Sequence, residues 1–238
     1  NIDKSTNATV TVVPASTTGA SVCDSNMFYI ESGQLYRQSP NNIARYPVGP
    51  LNQSGGLGPI GYNSVDGHLY AIASSSFTSN GVSITAGHLV KISGAGILTD
   101  LGAVTGANVD MSRMDGGDFD NSGNFVVKWW PFNVLYSINV STRVATEISL
   151  SADMYGNDMS YSNGSFYSAS GLDVYRAVVS AGTNWTVSTQ SIFPTNYAPG
   201  NASFTDGQGR AIFVDGNGDA YSVSNISTAS SSSDFTLL

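Results

Sequence analysis

The sequence has little charge, and this shortage excludes several kinds of partner. Charged residues make up 11% of the chain, and 9 Lys and Arg stand against 17 Asp and Glu, for a net charge of -8. A nucleic-acid-binding protein needs a basic surface that displaces counterions, so nucleic acid is excluded as a partner. An anionic membrane surface is a poor partner for the same reason. No apolar run of about eighteen residues occurs, so the sequence predicts no membrane-spanning helix.

Cysteine and histidine are also scarce, which bears on disulfides and cofactors. Cys23 is the only cysteine, so no disulfide can form within the chain. Because no histidine lies near it in sequence, a small buried hydrophobic residue is favoured over a catalytic thiol. His68 and His88 each stand alone, and no His/Cys spacing typical of a zinc site occurs. We therefore expect no cofactor, with calcium as the one alternative considered below.

The residues that are abundant predict an all-β protein. Short runs of Val, Ile, Tyr and Phe are separated by Gly, Asn and Asp at turn positions. Three of these runs are apolar on both faces: LYAIA (69–73), FVVKWW (125–130) and AIFV (211–214). A strand of a β-sandwich has one solvated face and alternates. A strand packed between two neighbouring blades of a propeller is buried on both faces.

An internal repeat supports the propeller. A strand, a Gly/Asp/Asn turn, an aromatic strand and a third strand recur along the chain, with third-strand positions about 45 residues apart. These third-strand positions are Tyr36, Val90, Tyr136, Tyr175 and Tyr221. We predict a β-propeller over residues 22–238, with five blades and six as the alternative. Residues 1–21 form an N-terminal extension with one β-strand and a Ser/Thr/Gly-rich tether.

The repeats resemble a known family. The motifs that carry the resemblance are Gly61-Tyr62-Asn63-x-x-Asp66-x-x-Leu69-Tyr70-x-Ile72, Leu89-Val90-x-Ile92 and Gly117-Asp118-Phe119-Asp120-x-x-Gly123-Asn124. They are similar to secreted fungal and bacterial propeller domains of unknown function, loosely related to NHL/YVTN-type propellers. The resemblance covers about Val22 to Val223 and implies the fold. It implies no activity, since propellers serve as lectins, enzymes and scaffolds alike.

Sequons for N-glycosylation indicate an extracellular protein. Asn-x-Ser/Thr begins at Asn7, Asn52, Asn139, Asn163, Asn184, Asn201 and Asn225. This is a modest excess over chance in a chain so rich in Asn, Ser and Thr. The chain begins with Asn1 rather than Met, which is the expectation for a secreted protein whose leader peptide has been removed. We predict an extracellular glycoprotein, secreted or attached to the cell surface.

Four aspartates lie near the predicted starts of innermost strands: Asp110, Asp115, Asp118 and Asp158. A glycosidase with a propeller fold would place its paired carboxylates there. Aspartates that only hydrogen-bond at strand ends are the alternative. Because the sequence has neither a G-x-S-x-G motif nor a phosphate-binding loop, we predict no catalytic residue and no enzymatic activity.

Two further patterns have both a binding and a structural interpretation. Asp118, Asp120 and Ser122 alternate as in the first half of a calcium-binding loop, although the bidentate Glu of such a loop is absent. A β-hairpin turn favours the same residues. Trp129 and Trp130 could stack on sugars, as in a lectin, or pack between blades.

The N-terminal extension contains the segment that would mediate assembly. Thr9, Val10, Thr11, Val12 and Val13 alternate β-branched residues in an edge-strand pattern. This strand pairs either within its own ring, near Asp219 to Val223, or with a neighbouring molecule. The C-terminal residues 234–238 compete for the closing position within the ring. If they take it, the N-terminal strand is free to join another copy, and such head-to-tail donation builds fibres.

These patterns lead to one functional prediction and two alternatives. We predict a structural subunit of a surface coat or filament, whose partner is another copy of itself. The first alternative is a lectin-like, glycan-binding propeller. The second is a polysaccharide hydrolase or lyase.

Overall fold

A computed structural model gives the architecture. It describes residues 27–31, 34–38, 45–49, 56–129, 133–194, 203–205, 209–214 and 219–238. Within these residues there are twenty-one strands, two 3-10 helices and no α-helix. No helix in the described part of the chain is long and apolar enough to cross a membrane. The prediction of an all-β chain is confirmed.

Consecutive strands form five antiparallel sheets in chain order. Sheet 1 contains β1 (Met27–Glu31), β2 (Gln34–Gln38) and β3 (Arg45–Pro47). Sheet 2 contains β4 (Leu57–Asn63) and β5 (His68–Ala73), then, after the small hairpin β6 (Phe77–Ser79) and β7 (Val82–Ile84), β8 (His88–Ile92) and β9 (Leu98–Ala103). Sheet 3 contains β10 (Gly116–Phe119), β11 (Asn124–Lys128), β12 (Val134–Asn139) and β13 (Val144–Leu150). Sheet 4 contains β14 (Ser160–Ser162), β15 (Ser165–Ser170), β16 (Asp173–Val178) and β17 (Asn184–Ser191). Sheet 5 contains β18 (Ser203–Thr205), β19 (Ala211–Val214), β20 (Ala220–Val223) and β21 (Phe235–Leu237).

The turn between β14 and β15 shows how the local sequence sets the register. Asn163 and Gly164 both have positive φ, +47° and +76°. A two-residue hairpin loop of this kind matches the twist of the strands it connects, and Asn-Gly is its preferred sequence. The turn therefore pairs Ser162 with Ser165 directly.

The first strands of sheets 2 to 5 lie towards the centre of the molecule. β4 packs against β10, β10 against β14, and β14 against β18. The fourth strands lie on the outer side of the molecule. Two of them, β13 and β17, pair in parallel, Ser149 with Asn184 and Leu150 with Trp185. This arrangement of successive sheets around a central channel is that of a β-propeller, as predicted. The number of blades in the ring stays a prediction.

The described residues form four hydrophobic core clusters, and each cluster lies between two consecutive sheets. The middle strands contribute to the clusters on both of their sides. On β11, for example, Phe125 and Val127 pack towards sheet 2, whereas Val126 packs towards sheet 4. This two-sided burial is the physical reason for apolar runs such as FVVK, because neither face of the strand meets water.

The C-terminus completes the last sheet. β21 pairs with β20 through Tyr221–Leu237, Ser222–Thr236 and Val223–Phe235. The opposite edge of β20 pairs with β19. Both edges of β20 are therefore occupied, which leaves no place beside it for the N-terminal strand.

Candidate functional site

Two aspartates of the predicted set converge in the central channel. Asp118 lies on β10, and its Oδ2 accepts a hydrogen bond of 2.7 Å from the backbone N–H of Tyr161 on β14. Its Oδ1 accepts a bond from the N–H of Phe119. Burial raises the pKa of the Asp118 carboxyl to about 7, against the lowering effect of these two hydrogen bonds, and the nearby Asp158 raises it further.

Asp158 connects three of the central strands. It precedes β14, and its Oδ2 accepts a 2.9 Å hydrogen bond from the N–H of Ser203 on β18. Its Oδ1 accepts a bond from the N–H of Met159, and the carboxylate also accepts one from the N–H of Gly117 on β10. Burial raises the pKa of Asp158 to about 6, and these hydrogen bonds together with the Lys128 charge oppose that shift.

Gly116, which precedes Gly117 on β10, allows this strand to approach the segment before β14 closely. A Cβ on Gly116 would lie 2.5 Å from the carbonyl oxygen of Asn157 and 2.7 Å from the Cα of Asp158. Any side chain at position 116 would therefore push β10 away from the segment that holds Asp158.

Lys128, at the end of β11, places an amine near the carboxylate of Asp158. The residue is 2% exposed, and its Nζ lies 3.2 Å from Ser168 Oγ and 3.5 Å from the carbonyl oxygen of Met154. Burial lowers the pKa of the Lys128 ammonium to about 7, although the charges of Asp158 and Asp115 oppose this shift. Lys128 was not among the predicted site residues. Its signal in the sequence was a single lysine inside an otherwise apolar run.

A cavity of about 570 Å³ opens beside Asp158, between strands of sheets 1, 2 and 5. Its apolar side chains are Phe28, Ile30, Leu57, Ile60, Phe204 and Val214. Its polar side chains are Tyr29, Gln38, Asp158 and Ser203, and Gly58 and Ala220 complete the described lining. Cavities that hold small ligands in proteins have volumes of about 300–1,000 Å³ and mostly apolar walls.

Ser203 has an unsatisfied polar group close to this cavity. Its side chain is buried, with 8% of the residue exposed, and its Oγ has no hydrogen-bond partner. The Oγ atom is shielded from solvent, so it lies behind the cavity wall, and Asp158 carries the full charge among the described lining residues.

The other two aspartates of the predicted set lie elsewhere. Asp110 is exposed and caps the 3-10 helix Met111–Arg113 by accepting bonds from Ser112. Asp115 is exposed, and its backbone N–H donates to the carbonyl oxygen of Lys128. The structure thus brings together Asp118 and Asp158 but neither Asp110 nor Asp115.

The calcium-like pattern forms a hairpin in which the carboxylates have separate partners. Asp120 Oδ1 accepts hydrogen bonds from the N–H groups of Ser122 and Asn124, as in an Asx turn. Asp118 points into the channel instead. The described residues contain no group of three His, Cys, Asp or Glu side chains that could hold a metal ion. Calcium binding by Asp118, Asp120 and Ser122 stays a prediction.

Four of the seven predicted glycosylation sites are exposed in the structure: Asn139, Asn163, Asn184 and Asn225. Asn7, Asn52 and Asn201 lie outside the described residues, as do Trp130 and the predicted assembly strand of Thr9, Val10, Thr11, Val12 and Val13. Trp129 is partly buried, and the guanidinium of Arg113 lies 5.1 Å from the centre of its ring.

The raised pKa values of the channel aspartates predict how stability depends on pH. Between about pH 4 and pH 7 the folded protein holds a proton on Asp118 that the unfolded chain has lost, so the free energy of unfolding should fall as the pH rises through this window. Asp158 acts in the same direction up to about pH 6. Because the pKa of Lys128 is lowered, above about pH 7 the unfolded chain holds a proton there that the folded protein has lost. The free energy of unfolding should therefore rise again above this pH.

Urea unfolding between pH 4.5 and 7.5 tests this dependence. Asp118→Asn, which cannot titrate, should reduce the fall in unfolding free energy by about 1 kcal/mol or more, because each pKa unit corresponds to about 1.4 kcal/mol. Identical pH slopes in the wild type and in Asp118→Asn would contradict the assignment of a raised pKa to Asp118.

Solved structures share this fold. A luciferin-regenerating enzyme has a TM-score of 0.50 and 12% identity, over 93% of this chain and 74% of that one. An auxiliary nutrient binding protein from Bacteroides ovatus has a TM-score of 0.52 and 9% identity, over 84% of this chain and 52% of that one. Virginiamycin B lyase from Staphylococcus aureus has a TM-score of 0.49 and 14% identity, over 93% of this chain and 69% of that one. At these identities the likeness shows the fold alone.

The prediction that the chain is not an enzyme is wrong. It depended on the absence of a catalytic sequence motif, but the fold that the chain shares is also that of a luciferin-regenerating enzyme. Function depends on the residues of a site rather than on the fold, and a site made of residues far apart in sequence leaves no local motif. Asp118 and Asp158 are 40 residues apart in sequence, and the structure brings them close enough for the charge of Asp158 to act on Asp118.

The family comparison covers most of the chain. No curated protein sequence matches this chain. A family described as a repeat of unknown function (DUF6923) matches residues 30–238, which includes all five sheets from β1 onwards apart from the first residues of that strand. The chain belongs to the DUF6923 repeat family.

Proposed function

We propose that this propeller binds a small organic molecule in the cavity beside Asp158. The observation that carries the proposal is the carboxylate of Asp158 in the mostly apolar wall of a cavity large enough for a ligand. A carboxylate in an apolar wall is costly unless polar groups partner it. A bound molecule with a hydrogen-bond donor would add such a partner.

The composition of the wall favours a molecule with a large apolar surface over a sugar. Eight of the twelve described lining residues are apolar or glycine. A sugar presents a hydroxyl on nearly every carbon, and each buried hydroxyl needs a hydrogen-bonding partner. The four polar side chains cannot satisfy so many groups, so the lectin alternative gains no support from this cavity.

A fluorescent probe tests the proposal without knowledge of the natural ligand. We expect N-phenyl-1-naphthylamine, an uncharged apolar fluorophore, to bind with an increase in emission. Ala220→Phe and Val214→Phe place new rings on the cavity wall from two different strands and should each weaken binding by about tenfold or more.

The matched control is Ala181→Phe, which adds the same ring at an exposed position away from the cavity. Thermal unfolding of every variant shows whether the fold is kept. Equal probe affinity in the wild type and in both folded cavity variants would reject the cavity as the binding site.

Assembly through the N-terminal strand is a second proposal, supported by the completed edge of β20. Because β19 and β21 occupy both edges of that strand, residues 9–13 cannot pair there within the same molecule. A strand with one apolar and one polar face then finds a sheet edge in a second copy. The occupied edges of β20 therefore support the proposal of a coat or filament subunit. In such a subunit the cavity beside Asp158 is a separate feature.

Deletion of residues 1–14 distinguishes the two placements of the strand. If the strand is donated between molecules, the truncated protein should stay folded and become monomeric by light scattering. A full-length protein that is monomeric at high concentration, or a truncated one whose melting temperature falls sharply, would reject donation.

The cellular setting belongs with these proposals. We infer an extracellular glycoprotein of the secreted NHL/YVTN-like type, since Asn139, Asn163, Asn184 and Asn225 are exposed sequons. Glycans at these positions would lie on turns and strand ends outside the cavity.

A further inference from the structure

We propose that the ligand of this cavity is an organic amine, an apolar or aromatic body with one ammonium group that donates a hydrogen bond to the carboxylate of Asp158. This inference rests on the proposed function, because it assigns the chemical class of the molecule bound in the same cavity.

Charge is the first argument. Asp158 is the only side chain with a full charge among the described residues that line the cavity. A carboxylate in a mostly apolar wall strongly favours a cation over a neutral molecule or an anion, because apolar side chains screen its charge less than bulk water does. The net charge of the chain, -8, acts in the same direction at long range.

The hydrogen-bonding capacity of Asp158 is the second argument. Its two oxygens offer about four acceptor positions. Three are used by the backbone N–H groups of Gly117, Met159 and Ser203. One acceptor position is left for a ligand. An ammonium group has the donor that this position requires.

The surrounding groups do not neutralise Asp158 in advance. Among the described residues, Lys128 is the one cation whose charge acts on Asp158, but burial lowers its pKa to about 7, so it is largely uncharged in mildly alkaline solution. Asp118 adds negative charge from β10, Asp115 acts on Lys128, and the Tyr29 phenol shares the cavity wall. An ammonium group therefore meets a site that lacks a positive charge above about pH 7.

The aromatic wall fits the rest of such a ligand. Phe28, Tyr29 and Phe204 line the cavity with Asp158. Aromatic faces attract a cation through the negative charge of their ring faces. They also cover the apolar body of an amine, whereas an anionic ligand would meet both the carboxylate and the negative faces of the rings.

Three compounds of similar size and different charge test the proposal: 2-phenylethylamine, 2-phenylethanol and 3-phenylpropionate. Calorimetric titration at pH 8 and low salt measures each one directly. We expect the amine to bind at least about tenfold more tightly than the alcohol, and the carboxylate to bind most weakly. Below about pH 6 the preference for the amine over the alcohol should shrink as Asp158 becomes protonated.

Asp158→Asn should bring the affinities for the amine and the alcohol close to each other. If this variant does not fold, the pH dependence of the wild-type preference decides the matter, since it needs no substitution. An alcohol that binds as tightly as the amine at pH 8, or a preference unchanged between pH 8 and pH 5, overturns the amine proposal. The cavity itself is tested separately. If only the ligand class is wrong, Ala220→Phe still weakens binding of the uncharged probe by about tenfold or more.

Discussion

Replacing Phe125 with alanine is expected to lower the free energy of unfolding by about 3–5 kcal/mol, the largest effect of any single substitution considered for this protein. Phe125 is completely buried on β11, and its ring stacks on that of Phe119 with the ring centres 4.9 Å apart. Its Cε2 also lies 2.9 Å from where a Cβ on Gly61 would be, so it packs against sheet 2 across the interface. The substitution leaves a cavity between two sheets that cannot close around it. Urea unfolding measures the loss.

Leu172→Ala is the matched control for this experiment. Leu172 is 51% exposed in a turn before β16, so its truncation should change the free energy of unfolding by less than about 1 kcal/mol. A loss at Phe125 as small as that at Leu172 would contradict a core built between sheets.

Replacing Asp158 with alanine is expected to cost about 2–4 kcal/mol. The substitution leaves the N–H groups of Gly117 and Ser203 without an acceptor, and each unsatisfied buried donor costs about 1–3 kcal/mol. It also leaves Lys128 without its nearest opposing charge, while it removes the cost of burying the carboxylate itself. The same unfolding measurement applies.

Asp153→Ala is the control for Asp158→Ala. Asp153 accepts a 2.9 Å hydrogen bond from the exposed Tyr155 hydroxyl, close to the surface, so the loss there should stay below about 1 kcal/mol. If the two variants lose equal stability, Asp158 does not connect the central strands as described.

The strands were predictable from the sequence because their burial is local and repetitive. The runs 69–73, 125–128 and 211–214 are buried on both faces and lie on the second strands of their sheets, as the apolar pattern predicted. The turn at Asn163 and Gly164 has a local cause as well, because Asn-Gly is the preferred sequence of a two-residue hairpin loop with positive φ. Each of these features depends on neighbours within about ten residues.

The site was predicted only in part, because its contacts join residues far apart in sequence. Asp118 and Asp158 were chosen for their positions near the starts of central strands, but the sequence could not show that they reach Tyr161 and Ser203 on the following sheets. Lys128 was missed, since a lysine next to tryptophans at a strand end usually extends into solvent. Its burial depends on how closely sheet 4 packs against β11, and no local pattern specifies that spacing.

The position of the bound molecule is the most direct test of a ligand site in the channel. A crystal structure of the wild-type protein with N-phenyl-1-naphthylamine bound should show the probe between β1, β4 and β18, against Phe204 and beside Ser203. A probe found instead on the outer surface of the propeller, with the cavity beside Asp158 closed or empty, would contradict the account.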